Sequence, residues 1–465
     1  MIFDLNKYNS NTAVITDNVM SFTYEQINDI CLRWSQYMKP RSLALCLCNN
    51  EIGSLLAYLT CLQYGIVPVM LDGSKDLDLV NNLLDVYQPN YIWLPDARVN
   101  EFSFEPVYSE YGYSLLSVNK ENIELHPDLA LLLTTSGSTG SPKLVRLTYE
   151  NIKSNAISIA DYLNITSEER PITSLPMYYS FGISVLNSHL ISGATILLTD
   201  KSIAQKEFWN FIKQENATSL SGVPYTFEML KRLRFFRMDL PSLKTITQAG
   251  GKLRADLVKE YIDGAIATNK QFIVMYGQTE ATARMSYLPW DVASEKYSSI
   301  GIAIPGGKFE LQDENHNIIE CSDVDGELVY RGANISMGYA ETKLDLSKGD
   351  ENNGLLYTGD IARRDADGYY YITGRMKRFV KVFGNRVNLD ATEQILKSSG
   401  FDCACVGVDE KITIFVTDIQ NEQAIKDLLL QKTGLNTRAF EVRKIENFPI
   451  SSSGKVLYAE LSKLL

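Results

Sequence analysis

The stretch LLLTTSGSTGSPKLVRLTYENI, Leu131 to Ile152, decides how the rest of the chain is read. Its leucines read as the end of a buried strand. The glycines, serines and threonines that follow allow several backbone N–H groups to converge on one point. Such a nest binds anions, and the hydroxyls and Lys143 add donors. Thr148 is placed to N-cap a following helix, with Glu150 in its first turn. The loop is not a Walker A motif, because Lys143 follows Pro142 rather than a glycine, so a kinase or GTPase reading loses support. Taken alone, this loop chemistry serves a bound phosphate or a plain turn.

Outward from the loop, strand-like and helix-like runs alternate. SLALCLC reads as a buried strand, EIGSLLAYLTCLQYG as a helix ending on Gly65, and IVPVML as a strand. LVNNLLDVYQP then reads as a helix and YIWLP as a strand. This alternation predicts parallel sheets covered by helices. After about Trp290 the texture changes to short, turn-punctuated strands such as GELVYRG and GYYYITGR, a β-rich appendix. From about Arg378 a compact α+β pattern follows. The expected fold is therefore α/β: a large N-terminal domain of parallel helix-covered sheets with a small β-rich subdomain, then a small mobile α+β lid.

The chain has 465 residues, is 45% hydrophobic and carries a net charge of -11. The acidic balance argues against nucleic-acid or anionic-membrane partners. No run approaches the roughly 18 apolar residues of a membrane helix, and the N-terminus lacks a signal-peptide pattern. The seven cysteines form no regular framework. Cys46, Cys48, Cys403 and Cys405 alternate within strand-like runs and read as small hydrophobes rather than metal ligands. A cytoplasmic location is expected.

Five segments, in order, resemble the motifs of the adenylate-forming superfamily, which includes acyl-CoA synthetases, peptide-synthetase adenylation domains and luciferases. TTSGSTGSPK resembles its phosphate loop, and MYGQTEAT (Met275 to Thr282) its adenine and metal motif. YTGD (Tyr357 to Asp360) resembles the ribose motif. GRMKRFVKVFGNRVNLDATE (Gly374 to Glu393) resembles the hinge, and PISSSGKV (Pro449 to Val456) the C-terminal lysine motif. The resemblance spans nearly the whole chain. It implies an adenylation domain over residues 1–376 and a lid over 377–465, with the hinge at Lys377.

The resemblance also implies a reaction: a carboxylate attacks the α-phosphate of ATP, giving an acyl-adenylate and pyrophosphate, and the acyl group then passes to a thiol. It assigns the β- and γ-phosphates to Thr135, Ser136, Gly137, Ser138, Thr139 and Gly140 with Lys143. It assigns Mg²⁺ to Glu280, the α-phosphate to Thr279, and both reacting groups to Lys455. Adenine and ribose fall to Gly250, Gly251, Tyr276, Gly277, Gln278, Asp360, Ile372 and Arg375. In this reading Tyr276 offers an aromatic face, Asp360 takes the ribose diol with both oxygens, and Arg375 donates from the opposite side. Rotation about Lys377 would withdraw Lys455 and bring in the strand around Gly384, which leaves room for a pantetheine arm; Lys381 would contact the adenylate or acceptor.

The acid side is expected to be lined by Tyr178, Tyr179, Phe181, Gly182, Val223 and Tyr225. Many acyl-CoA synthetases have His where Tyr179 stands. Amino-acid adenylation domains place an Asp, their ammonium anchor, where Gly182 stands. An acid without an α-amine is therefore favoured over an amino acid. The expected acceptor is coenzyme A or the phosphopantetheine of a free-standing, acidic carrier protein. The basic residues Arg375, Lys377, Arg378, Lys381 and Arg386, and the strip Lys231 to Arg237, are candidates to meet such a partner, or else plain solvated faces. A stand-alone amino-acid–carrier ligase and an inactive nucleotide-binding module are the competing readings.

Overall fold

The computed structural model describes residues 5–134, 143–376, 378–382, 385–418, 421–450 and 456–465. An eight-stranded sheet opens the architecture. Its centre is built from β1 (Leu43–Cys48), β2 (Val67–Asp72), β3 (Tyr91–Pro95) and β4 (Leu129–Thr134), all parallel, followed by β5 (Leu144–Thr148). All six residues of β1 are buried, as expected where both faces of a parallel sheet are covered. This is why Cys46 and Cys48 are buried although they share one face and the intervening leucines the other. Helix α1 (Ile52–Tyr64) ends on Gly65 in the left-handed conformation, φ 72°, the C-cap that glycine favours.

Between the decisive loop and the helix that Thr148 caps, β5 intervenes and pairs antiparallel with β4. Only nine residues separate the two strands, and a parallel return needs a crossover of about a dozen or more. Thr148 then caps α2 (Tyr149–Tyr162) in a capping box with Asn151.

The second sheet has nine strands. In chain order the elements that matter are β6 (Pro171–Ile172), α3 (Ser180–Leu190), β7 (Ile196–Leu198), β8 (Ser219–Gly222), β9 (Thr245–Gln248) and β10 (Gln271–Tyr276). Strands β6, β8, β9 and β10 run parallel in register. A four-stranded antiparallel sheet follows: β11 (Lys308–Gln312), β12 (Gly326–Arg331), β13 (Leu355–Arg364) and β14 (Tyr370–Arg375). It is the β-rich portion expected after Trp290. The C-terminal segment holds α4 (Leu389–Ser398) and β15 (Cys403–Val408), β16 (Lys411–Val416) and β17 (Phe440–Lys444). It has its own apolar cluster, including Val380, Leu396, Ile414 and Leu429. No helix among the described residues is long and apolar enough to cross a membrane.

Candidate active site

The antiparallel register of β13 and β14 sets Asp360 opposite Arg375. The Asp360 side chain is 3% exposed, and a buried carboxylate is tolerable only when its oxygens are bonded. Arg375 Nε donates to Oδ1 at 2.8 Å. The Tyr276 hydroxyl and Gln278 Nε2 donate to Oδ2 at 2.5 and 3.0 Å. Gln278 also donates to the Thr358 carbonyl at 3.0 Å, which fixes its amide. Burial, then the Asp360 charge, pushes the Tyr276 phenol well above its ordinary pKa, so it stays a donor. Asp360 also holds the Arg375 guanidinium above its ordinary value.

This geometry departs from two expectations. Arg375 sits on Asp360 itself rather than across from it. A diol that engages both oxygens must displace a donor from Oδ2, because a carboxylate offers about four lone-pair sites. Tyr276 is tied down by its hydroxyl, which orients the ring that was expected to receive a base.

From Tyr276 the chain runs through Gly277 and Gln278 into the short 3-10 turn Thr279–Ala281. A Cβ on Gly277 would lie 1.6 Å from the Ala283 carbonyl oxygen, so only glycine lets the chain fold back here. Thr279 Oγ1 lies 3.0 Å from the Ser180 hydroxyl at the start of α3. Glu280 Oε1 accepts from the Tyr339 hydroxyl at 2.7 Å. Lys143 Nζ stands 3.6 Å from the centre of the Tyr339 ring and 3.5 Å from Glu341. The lysine and the carboxylate assigned to phosphate and metal thus meet on one tyrosine. They do so because the Tyr339–Ala340 strand pairs antiparallel with β5, one residue beyond Lys143. Tyr339 and Ser180 escaped the sequence reading, since only tertiary pairing brings them to the motifs.

The fit of Mg²⁺ can be judged from Glu280. This cation keeps several waters and takes one or two carboxylates together with substrate phosphates. A single, partly exposed carboxylate on a turn suits that, and no cluster of three or more potential ligands occurs among the described residues.

On the acid side, Gly250 closes β9 in the left-handed region, φ +83°. A Cβ there would lie 2.7 Å from the Tyr179 hydroxyl and 3.0 Å from a Val223 methyl. Glycine therefore brings the backbone against the acyl-side wall, and Gly251 follows against Pro224. Tyr179 and Phe181 pack with Val223, Ala249, Ile273 and Met275. Lys252, next to the glycines, donates to the Ile372 carbonyl at 3.0 Å and to Gln394 at 3.1 Å.

Two expected pocket residues make close contacts elsewhere, and a third is half exposed. Tyr178 donates to Asp72 at 2.9 Å and packs on the first sheet's core. Tyr225 is 50% exposed. Gly182 faces backbone: a Cβ would lie 2.0 Å from the Pro176 carbonyl oxygen. No side chain, an aspartate included, fits at 182 without moving that loop.

Behind Phe181 lies a residue the sequence reading missed. Arg284 is 2% exposed, and its guanidinium stacks 3.8 Å from the Phe181 ring centre. It borders a narrow cleft lined also by Ser188, His189, Ser221 and Thr247. The sequence signal was an arginine two residues past the Met275–Thr282 motif, beside apolar strands. His189 Nδ1 faces the Val185 carbonyl at 2.8 Å, and burial lowers the imidazole pKa to about 4. An unfolded imidazole, near 6.5, takes up a proton that the folded one refuses. The neutral ring's contribution is therefore complete above pH 6.5 and is lost as pH falls towards 4. At about 1.4 kcal/mol per pH unit, that window is worth about 3 kcal/mol. Urea unfolding midpoints measured from pH 7.5 to 4 are expected to fall, and less steeply for His189→Gln.

In the C-terminal segment, Arg378 is not a free basic residue. It pairs with Asp390 at 3.0 Å and Glu393 at 2.7 Å and stacks on Tyr458. The Lys381 side chain is exposed. Thr135, Ser136, Gly137, Ser138, Thr139, Gly140, Lys377, Gly384 and Lys455 lie outside the described residues. The described ends of the last motif are joined: Ile450 bridges Val456, and Leu457 N–H donates to the Pro449 carbonyl at 2.7 Å.

The profile of the AMP-binding enzyme family matches residues 4–340. The chain belongs to that family, and so to the adenylate-forming enzymes. A feruloyl-CoA synthase of Amycolatopsis sp is 26% identical over 352 residues, 72% of this chain and 70% of that one. A 2-succinylbenzoate–CoA ligase of Staphylococcus aureus (strain MSSA476) is 29% identical over 339 residues, 71% of this chain and 66% of that one. Among solved structures, the Bacillus subtilis o-succinylbenzoate CoA synthetase in complex with its acyl-adenylate intermediate has a TM-score of 0.81. It is 19% identical, with 98% of this chain and 97% of that one covered. ATP-bound MatB from Rhodopseudomonas palustris also scores 0.81, at 20% identity, over 100% of this chain and 97% of that one. Those two likenesses establish the fold.

Proposed function

We propose that this enzyme uses ATP to activate a carboxylic acid as its acyl-adenylate, releases pyrophosphate, and transfers the acyl group to the thiol of coenzyme A. The observation that carries the reading is the Tyr276–Gln278–Asp360–Arg375 node. It is a buried carboxylate with a lone pair to spare, next to the Thr279–Ala281 turn, whose Glu280 shares Tyr339 with Lys143. The curated relatives named as CoA synthetases and ligases support the acceptor. A carrier-protein pantetheine would use the same chemistry.

The residues divide the work as follows. Asp360 accepts from the ribose, and Gly250 and Gly251 let the base lie close to backbone beside Tyr276. Thr279 donates to the α-phosphate. Lys143 and the 135–140 loop hold the leaving pyrophosphate, with Glu280 placed to hold Mg²⁺. That ion, when bound, neutralises charge building on the phosphates. The acid needs no base, since a carboxyl group is already ionised at pH 7. Like charges 4 Å apart repel by about 4 kcal/mol at an effective dielectric near 20, so Lys455 is assigned to bridge carboxylate and α-phosphate. Residues 377–465 act as the lid that carries Lys455, turning at Lys377; the separate apolar cluster of this segment supports that division.

The absence of a side chain at 182 supports an acid without an α-amine, since the usual ammonium anchor has no space there. The test is ATP–pyrophosphate exchange with Mg²⁺ across aryl, fatty, dicarboxylic and amino acids. Exchange with a non-amino acid, followed by thioester formation with coenzyme A, is the expected result. Exchange with amino acids alone would overturn the substrate class. No exchange with any acid would overturn the activity.

A further inference from the structure

Strands β8 and β9 run in register, Ser221 beside Thr247. Because strand side chains alternate faces, Ser219, Ser221 and Val223 share a face, as do Thr245, Thr247 and Ala249. The face is apolar at Val223 and Ala249, where the Tyr179–Phe181 wall stands. It turns hydroxyl-bearing one step deeper, about 7 Å along the strand at 3.3 Å per residue. The cleft over those hydroxyls is bounded by α3 through Ser188 and His189, and by Arg284. Ser221 and Thr247 hydroxyls lie 2.8 Å apart.

Arg284 is the unusual group. Its guanidinium donates from Nε to the Met275 sulfur at 3.3 Å and has the neutral Tyr162 hydroxyl as a further side-chain partner. No described carboxylate lies within ion-pair distance of it. Glu169, which also lines the cleft, is bonded instead to the Thr218 hydroxyl. The nearby phenols do not compensate it, since burial pushes Tyr162 up to about 12 and raises Tyr179 as well. A buried, unpaired charge is costly, and the stack on Phe181 offsets only part of that cost. The free edge of a guanidinium is a fork that matches a carboxylate. The cavity is about 20 Å³, enough for the centre of one water-sized group. That suits a single carboxylate oxygen on the guanidinium and not an alkyl tail.

We propose that Arg284, with the hydroxyl-lined cleft behind Phe181, holds a second carboxylate of the acid substrate, so that the enzyme selects dicarboxylic acids. This assignment rests on the acid-activating function above. Exchange is measured for matched pairs: hexanoate with adipate, and 3-phenylpropanoate with 3-(2-carboxyphenyl)propanoate. In at least one pair kcat/KM favours the diacid by about 10,000-fold, the scale on which sites built around buried polar groups reject an analogue lacking their partner. Arg284→Met brings that ratio close to unity, and Arg284→Lys, a point charge without the fork, leaves it intermediate. A wild-type preference for the monoacid in every pair overturns the assignment. So does an equal loss with both acids in Arg284→Met, which makes the arginine a packing residue for Phe181. If Arg284→Met does not fold, the wild-type ratios and Arg284→Lys decide. Exchange with other acids and none of the diacids overturns this inference alone; silence with every acid overturns the proposed function with it.

Discussion

Asp360→Ala is expected to lower kcat/KM for ATP in pyrophosphate exchange by about 1,000-fold. Each hydrogen bond to a charged group contributes about 1.5–3 kcal/mol. A diol that bonds the carboxylate twice would then lose roughly 3–6 kcal/mol, and every 1.4 kcal/mol is a factor of about ten. The truncation also releases Arg375, Tyr276 and Gln278, which now converge on the two Asp360 oxygens. The isosteric Asp360→Asn separates these effects. It keeps one acceptor oxygen and the shape, and should retain more activity than alanine while still losing the Arg375 pair. The loss should fall mainly on ATP and little on KM for the acid. A folded Asp360→Ala protein, checked by its melting temperature, that keeps exchange within tenfold of wild type would remove Asp360 from the nucleotide site.

Much of this candidate site is legible in the sequence, but as a set of segments rather than as a geometry. Local rules worked where the cause is local. Gly65 ends α1 because the left-handed C-cap costs glycine little, and Thr148 caps α2 through its own hydroxyl. The strand–helix alternation predicted the two large sheets. Pairings between distant segments were not legible. Asp360 and Arg375 meet through the register of an antiparallel pair with an irregularity between Ile361 and Ala362. Tyr339 reaches Lys143 and Glu280 through an edge strand of two residues. Tyr178 looked like a pocket aromatic but bonds Asp72 on the other sheet. Gly182 was read by what its missing side chain would have bound, whereas its packing against the Pro176 carbonyl decides what can stand there. Arg284 carries no motif of its own. Only burial without a counter-ion marks it, and burial is a property of the fold.

The second large effect concerns Lys455 and is a difference between two half-reactions. Lys455→Ala is expected to slow adenylate formation by about 1,000-fold, the equivalent of the roughly 4 kcal/mol of like-charge repulsion that an ammonium between the two anions offsets. Thioester formation from acyl-adenylate supplied ready-made should change by less than about threefold. In that step the lysine has no anion pair to bridge, and the lid is proposed to have turned it away. The described residues on either side of it are held, by the Ile450–Val456 bridge and by Tyr458, whose hydroxyl donates to Glu393 at 2.9 Å. A lost side chain at 455 therefore leaves those anchors in place. Equal losses in both steps would mean that the substitution disturbs the lid as a whole. Retention of both would show that the carboxylate and the α-phosphate are brought together by other cations, with Lys143 and Arg375 as candidates among the described residues.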